Sequence, residues 1–350
     1  MKIVVLGGGI STERHVSLVT ATSVCKALRS KGHKAIFVDM FLGLENYEGS
    51  LEAAFDAPDG FCGNVAIEHT APDLAAVKAA RKLQSNSRLG KNVLEICALA
   101  DFVFLGLHGE DGEDGKIQAA LDLLGIPYTG SGHLSSAMAL DKATAKKIMR
   151  DAGIPTPEWS EYQLSPATCE SILREQKLPC VVKVVNGGSS IGVYICDSKE
   201  QLSSALADAQ QYGTDVIIEE KITGREFTQP VLGEKALCTI EIIPPDGTTF
   251  DYVAKYQSGE EGAREVCPAE ISEAEHEMLA ALALKFHKAL GLSVYSRTDF
   301  IVDEAGNPWC LEVNTLPGMT PNSLIPKAAG LEGLAYAELC EKIIELSMEK

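Results

Sequence analysis

The chain opens on an unbroken apolar run, Ile3-Val4-Val5-Leu6, which predicts a strand buried on both faces. Glycines 7–9 supply its exit turn, and apolar residues spaced by three and four over 16–30 predict a helix, completing a βα unit. Further strands are expected at 35–38 and 102–107 and a helix at 116–124, so the first part of the chain reads as an open α/β sheet. The intervening stretch 41–90 is polar, predicts one helix near 74–83 and carries no chemical motif. Residues 135–151 predict one helix, closed by Gly153-Ile154-Pro155, where glycine suits a C-cap and proline prevents continuation. Strands at 180–185, 193–196 and 216–221 with a helix at 199–210 follow. Strands at 236–243, 252–255, 298–302 and 309–313 then alternate with helices at 274–290 and 334–348, a mixture that suits an α+β pair of domains.

At 350 residues and 45% hydrophobic content, the chain can bury a full core and form two or three domains. A net charge of -18, with no Lys/Arg block, argues against nucleic acid or an anionic membrane surface as partner. An anionic ligand must therefore meet individually placed cations. The ten cysteines form no Cys-x-x-Cys pair and are expected to be reduced core residues. The start shows no signal-peptide core and no run approaches about 18 apolar residues, so a cytoplasmic protein is expected.

The most informative segment is 297–314. With 303–308 as a hairpin loop, Val302 faces Trp309, Asp299 faces Glu312 and Arg297 faces Asn314. Phe300, Val302, Leu311 and Val313 then point to the opposite face. Two carboxylates opposed across a ladder repel and call for a cation, and magnesium suits oxygen donors of this kind. A solvated polar face is the alternative for the pair alone. The glycine turn in Thr315-Leu316-Pro317-Gly318-Met319-Thr320 favours the chemical reading, because backbone N–H groups there can face a developing oxyanion.

Lys183 lies inside the apolar run Cys180-Val181-Val182-Lys183-Val184-Val185 and needs an anionic partner, either a phosphate or a buried acid. Lys142 alone would be an ordinary helix lysine. The turn Asn186-Gly187-Gly188-Ser189-Ser190-Ile191-Gly192 could close on phosphate oxygens or be a plain turn, and no P-loop sequence is present. Glu13 follows a glycine turn at a helix start, where the macrodipole also favours an acid. His108 falls where a parallel strand ends, the usual site of binding in open α/β sheets, or is a turn partner of nearby acids.

Arg297-x-Asp299 with Glu312-x-Asn314-Thr315-x-Pro317-Gly318-Met319-Thr320, continued by Ser323-Leu324, resembles the metal and oxyanion segment of D-alanine:D-alanine ligases of the ATP-grasp superfamily. The likeness extends along almost the whole chain. It implies an N-terminal open α/β domain (1–134) followed by a two-lobed ATP-grasp fold, with a central lobe at 135–226 and a C-terminal lobe at 227–350. It implies a homodimer that uses ATP and D-alanine with two magnesium or manganese ions. Asp299 and Glu312 would hold one ion, and Glu312 and Asn314 the other. Arg297 and the Gly318 backbone would stabilise the tetrahedral intermediate. Lys142, Lys183 and Lys255 would meet phosphates. Glu219, Glu220 and Ile222 would offer hinge contacts to adenine, and Glu226 would bind ribose hydroxyls. Glu13 would take the ammonium of the first D-alanine, beside His108 and in a hydrogen-bonded group with Ser189 and Tyr256. Ser323 would bind the second carboxylate, with Leu324 leaving room for a methyl. Ester-forming relatives place histidine where Tyr256 stands, so the resemblance implies a dipeptide product. Val184 and Asn186 depart from the family's proline after the lysine and charged residue before the glycines.

Overall fold

In the computed structural model, residues 1–63, 72–187, 192–244 and 263–350 are described. Three parallel strands, β1 (Lys2–Gly7), β2 (Lys34–Asp39) and β3 (Phe102–Leu105), form the first sheet in the order β2-β1-β3. Ile3 to Leu6 are wholly buried, as their unbroken apolar run requires. Helix α1 (Arg14–Ser30) packs on β1 so closely that a Cβ on Gly7 would lie 2.3 Å from that of Ala21. Glycine at 7 is thus a packing necessity. The stretch 41–90 carries α2 (Leu51–Ala54) as well as the helix expected near 74–83, α3 (Leu74–Ala80), and α4 (Val93–Cys97) leads into β3. After β3 come the short α5 (Glu110–Glu113) and α6 (Lys116–Leu123).

The single helix expected at 135–151 is two, α7 (His133–Leu140) and α8 (Lys142–Asp151). Asp141 breaks them: its extended backbone ends α7, and its side chain accepts from Thr144 N to cap α8. The next sheet is antiparallel, in the order β4 (Trp159–Gln163), β7 (Asp215–Glu220), β5 (Cys180–Val184), β6 (Val193–Cys196). Helices α9 (Pro166–Glu175) and α10 (Lys199–Ala209) belong to the same lobe; its core joins Val182 and Ile218 to Ile172, Leu202 and Leu206.

The largest sheet runs β11 (Arg264–Val266), β10 (Ile240–Ile243), β8 (Gly224–Leu232), β12 (Tyr295–Asp303), β13 (Pro308–Asn314), with β9 (Lys235–Ala236) paired to β8. The strand expected at 236–243 is divided into β9 and β10, both paired to β8. The one expected at 252–255 lies outside the described residues. Helix α11 (Glu273–Ala289) covers this sheet through Leu279, Ala283 and Phe286. Helices α12 (Leu324–Leu331) and α13 (Tyr336–Met348) return to the first sheet, so that Leu339 and Ile343 share a core with Ile3 to Leu6. The cysteines are not all reduced: Cys25 of α1 and Cys62 form a disulfide across a separation of 37 residues, while eight others are free. Only the tertiary fold brings such distant sulfurs together. No helix among the described residues is long and apolar enough to cross a membrane.

Candidate active site

The β12–β13 ladder pairs Arg297 with Asn314 and Asp299 with Glu312, as the alternation predicts, but a bulge follows Asp299. Beyond it Phe300 faces Cys310, and Val302 faces Pro308 instead of Trp309. Leu311 is therefore off the inner face, and Cys310 takes its expected place in the core beside Phe300 and Val313. The turn is pinned by Asp303, whose carboxylate accepts from Ala305 N, Asn307 N, Asn307 Nδ2 and Trp309 Nε1, which together hold it down at about 2.

Asp299 is buried and heavily bonded. Arg297 Nε and an amino nitrogen donate to its two oxygens at 3.0 and 2.9 Å, Thr228 Oγ1 donates at 2.6 Å and Asn314 Nδ2 at 3.3 Å. Glu312 Oε2 lies 3.5 Å from Lys142 Nζ. Among the described residues no three His, Cys, Asp or Glu side chains converge as a metal site. What converges is two carboxylates and an amide from paired strand positions, and this oxygen set fits magnesium, which keeps several water or phosphate ligands of its own.

Lys142 begins α8, is buried, and also donates to the carbonyl of Gly187. Lys183 has an acid as its partner: its Nζ lies 2.8 Å from Glu219 Oε2, with both side chains buried. Glu219, expected near adenine, thus turns its carboxylate inward. Its other oxygen lies 3.0 Å from Lys146 Nζ, whose hydrogen bond goes to Thr156 Oγ1 at 2.7 Å. Lys146 was not singled out by sequence reasoning; its place one turn after Lys142 on α8 is the signal that could have found it. Burial alone would depress Lys183, but Glu219 outweighs it and raises it. Burial would raise Glu219, yet Lys183 and Lys146 pull it down. Burial does depress Lys146, and Lys183 adds to this against the single carboxylate. One acid shared by two lysines leaves the cluster with an excess positive charge, suited to an anion. Glu220 is exposed, while Ile222 and Glu226 are half-buried where β7 passes to β8.

Glu13 precedes α1 and is buried. His108 is enclosed: its Nδ1 meets Leu316 O and its Nε2 meets Thr20 Oγ1, each at 2.8 Å, and burial lowers its affinity for a proton. A neutral ring with its proton on Nδ1 satisfies both contacts. Glu113 was also missed, being one of several acids in an acid-rich loop. It is buried; burial and Glu13 push it up to about 7 against three backbone N–H donors. Gly318 packs against Ser323, whose Oγ accepts from Thr320 N at 3.0 Å; Leu324 is half-buried at the start of α12. Ser189, Lys255 and Tyr256 lie outside the described residues.

Glu13, Glu113, Lys142, Gly187, Glu312 and Asn314 line one cleft. Three acids and a lysine can take an ammonium on one side and an anion on the other.

The D-ala D-ala ligase N-terminus family matches residues 2–131, and the D-ala D-ala ligase C-terminus family matches 148–345. The D-alanine--D-alanine ligase of Pediococcus pentosaceus is 41% identical over 98% of this chain and 97% of its own. That of Lacticaseibacillus casei is 38% identical over 98% and 95%. The crystal structure of the Bacillus anthracis D-alanine--D-alanine ligase complexed with ATP matches at a TM-score of 0.73 and 30% identity, over 100% of this chain and 98% of that one. The VanG D-Ala:D-Ser ligase of Enterococcus faecalis matches at 0.75 and 30% identity, over 99% of each. With both halves matched and full-length relatives at this identity, the chain belongs to the D-alanine--D-alanine ligase family.

Proposed function

We propose that this protein joins two D-alanine molecules at the expense of ATP, by way of a D-alanyl phosphate, and so supplies a peptidoglycan precursor in the cytoplasm. The observation that carries this reading is the cleft where Glu13 and Glu113 of the first domain face Lys142 and the Glu312–Asn314 strand. Glu13 binds the ammonium of the first D-alanine, leaving that substrate's carboxylate to attack the γ-phosphate of ATP, so that the bond to the bridging oxygen breaks and ADP leaves. Lys142 and Lys183 neutralise the phosphates, and the excess cation of the Lys146–Glu219–Lys183 cluster supports that role. Asp299, Glu312 and Asn314 would hold magnesium, which when bound offsets phosphate charge. The amine of the second D-alanine then attacks the acyl carbon, while Arg297 and the Gly318 N–H steady the oxyanion and phosphate leaves. Glu220 and Ile222 border adenine, and Glu226 takes the ribose. Ser189, Lys255 and Tyr256 belong to this reading by resemblance.

Glu312→Gln is expected to abolish D-alanine-dependent ADP release with the fold intact, measured by coupled assay and circular dichroism. Wild-type turnover by that variant would sink the metal assignment. The likeness to a D-Ala:D-Ser ligase favours one second reading, D-serine as acceptor. Leu324 offers nothing to a serine hydroxyl, so D-alanyl-D-alanine is the expected product. Mass analysis with both acceptors present would reverse this if the mixed dipeptide dominated.

A further inference from the structure

The segment between the end of β13 and Gly318 has no hydrogen-bond ladder of its own, yet Thr315, Leu316 and Pro317 are buried. Its polar groups must be met from elsewhere. They are met by a loop distant in sequence. Glu113 Oε1 accepts from Thr315 N at 2.9 Å and from Leu316 N at 3.0 Å, while its Oε2 accepts from Gly109 N at 3.1 Å. The Leu316 carbonyl accepts from His108 Nδ1, and that ring is oriented by Thr20. The donor and the acceptor of residue 316 are thus both held by the His108–Glu113 loop, two positions before Gly318.

We propose that Glu113, acting with His108, is a positioning residue for the ligation step: the pair clamps the main chain of Leu316 and thereby sets the Gly318 turn against the reacting carbonyl. The inference rests on the role given to Gly318 above. It also gives His108 a task that needs no contact with substrate. An error of about 1 Å in such a donor can cost about a hundredfold in rate.

E113Q keeps one carbonyl oxygen but turns an amide donor towards an N–H group, so it should loosen the clamp; E113A should release it. Product formation should fall about tenfold in E113Q and about a hundredfold in E113A, with the KM for ATP within about twofold of wild type. D-Alanine-dependent scrambling of a heavy-oxygen label between the bridging and non-bridging positions of ATP reports phosphoryl transfer alone. Its ratio to product formation should rise, because activation proceeds while ligation stalls. A purely structural loss would lower both rates together, and an unchanged ratio overturns the proposal. Adding H108Q to E113Q should cost less than the sum of the two, since both act on one segment; additive losses count against a shared clamp. E113Q carries the test where E113A does not fold. Hydrogen exchange at the Thr315 and Leu316 amides should also quicken in E113Q, and unaltered exchange rejects the clamp whatever the reaction. Wild-type enzyme that released no ADP with D-alanine would instead reject the proposed function.

Discussion

Glu113 shows what burial does to one side chain. Its value in the fold, about 7, lies above the ordinary 4.5, so the stability it contributes is complete below about 4.5 and is lost as pH rises through about 7. The difference is worth at most about 3 kcal/mol. E113Q, which does not titrate, should therefore lose less stability than wild type between about pH 5 and pH 8, as read by urea denaturation; parallel curves would contradict this. Glu219 is the opposite case, held down by two buried lysines. Glu219→Ala leaves both unpaired and should cost about 3–5 kcal/mol, whereas a loss under about 1 kcal/mol would mean that the lysines find other partners. Lys183 was legible as a buried cation because a charge inside an apolar strand stands out. Its acid was not, since Glu219 looks like any strand-end glutamate until the sheet pairs the two strands.

At the scale of elements, two departures from the expected pattern matter to the site. The break at Asp141 places Lys142 in the first turn of α8, where its side chain reaches both Gly187 and Glu312. Asp141→Ala removes the cap, so it should cost about 1 kcal/mol and raise the KM for ATP more than it lowers kcat. Equal effects on both would separate the cap from Lys142. The bulge after Asp299 shifts the outer hairpin by one residue yet leaves the Arg297–Asn314 and Asp299–Glu312 pairs in register. Alternation predicted those pairs because the inner ends of both strands are regular. It could not predict the bulge, which depends on which of Cys310 and Leu311 packs better under α11.

For the whole molecule, the decisive fact is that the first core is shared. Leu316, Met319, Leu339 and Ile343 pack with β1 and β3, and Lys31 and His33 of the first domain pair with Glu338 and Glu341 of α13. A fragment of residues 1–134 is therefore expected to be unstable alone, with weak near-ultraviolet dichroism and dye binding to exposed apolar surface. A cooperative unfolding transition in that fragment would show that α13 is dispensable. Stability thus crosses the boundary expected at residue 134.

By itself the sequence determined the local elements, through apolar spacing, and the pairing of Arg297 with Asn314 and of Asp299 with Glu312, because the two strands lie close together in the chain. Only the tertiary structure decided who meets whom across long separations: Glu113 with Leu316, Lys146 with Glu219, Cys25 with Cys62. The reason is physical. Periodicity records which face of an element is buried, but a buried acid, lysine or thiol is matched to its partner only when separate elements pack, and local sequence carries no mark of that pairing.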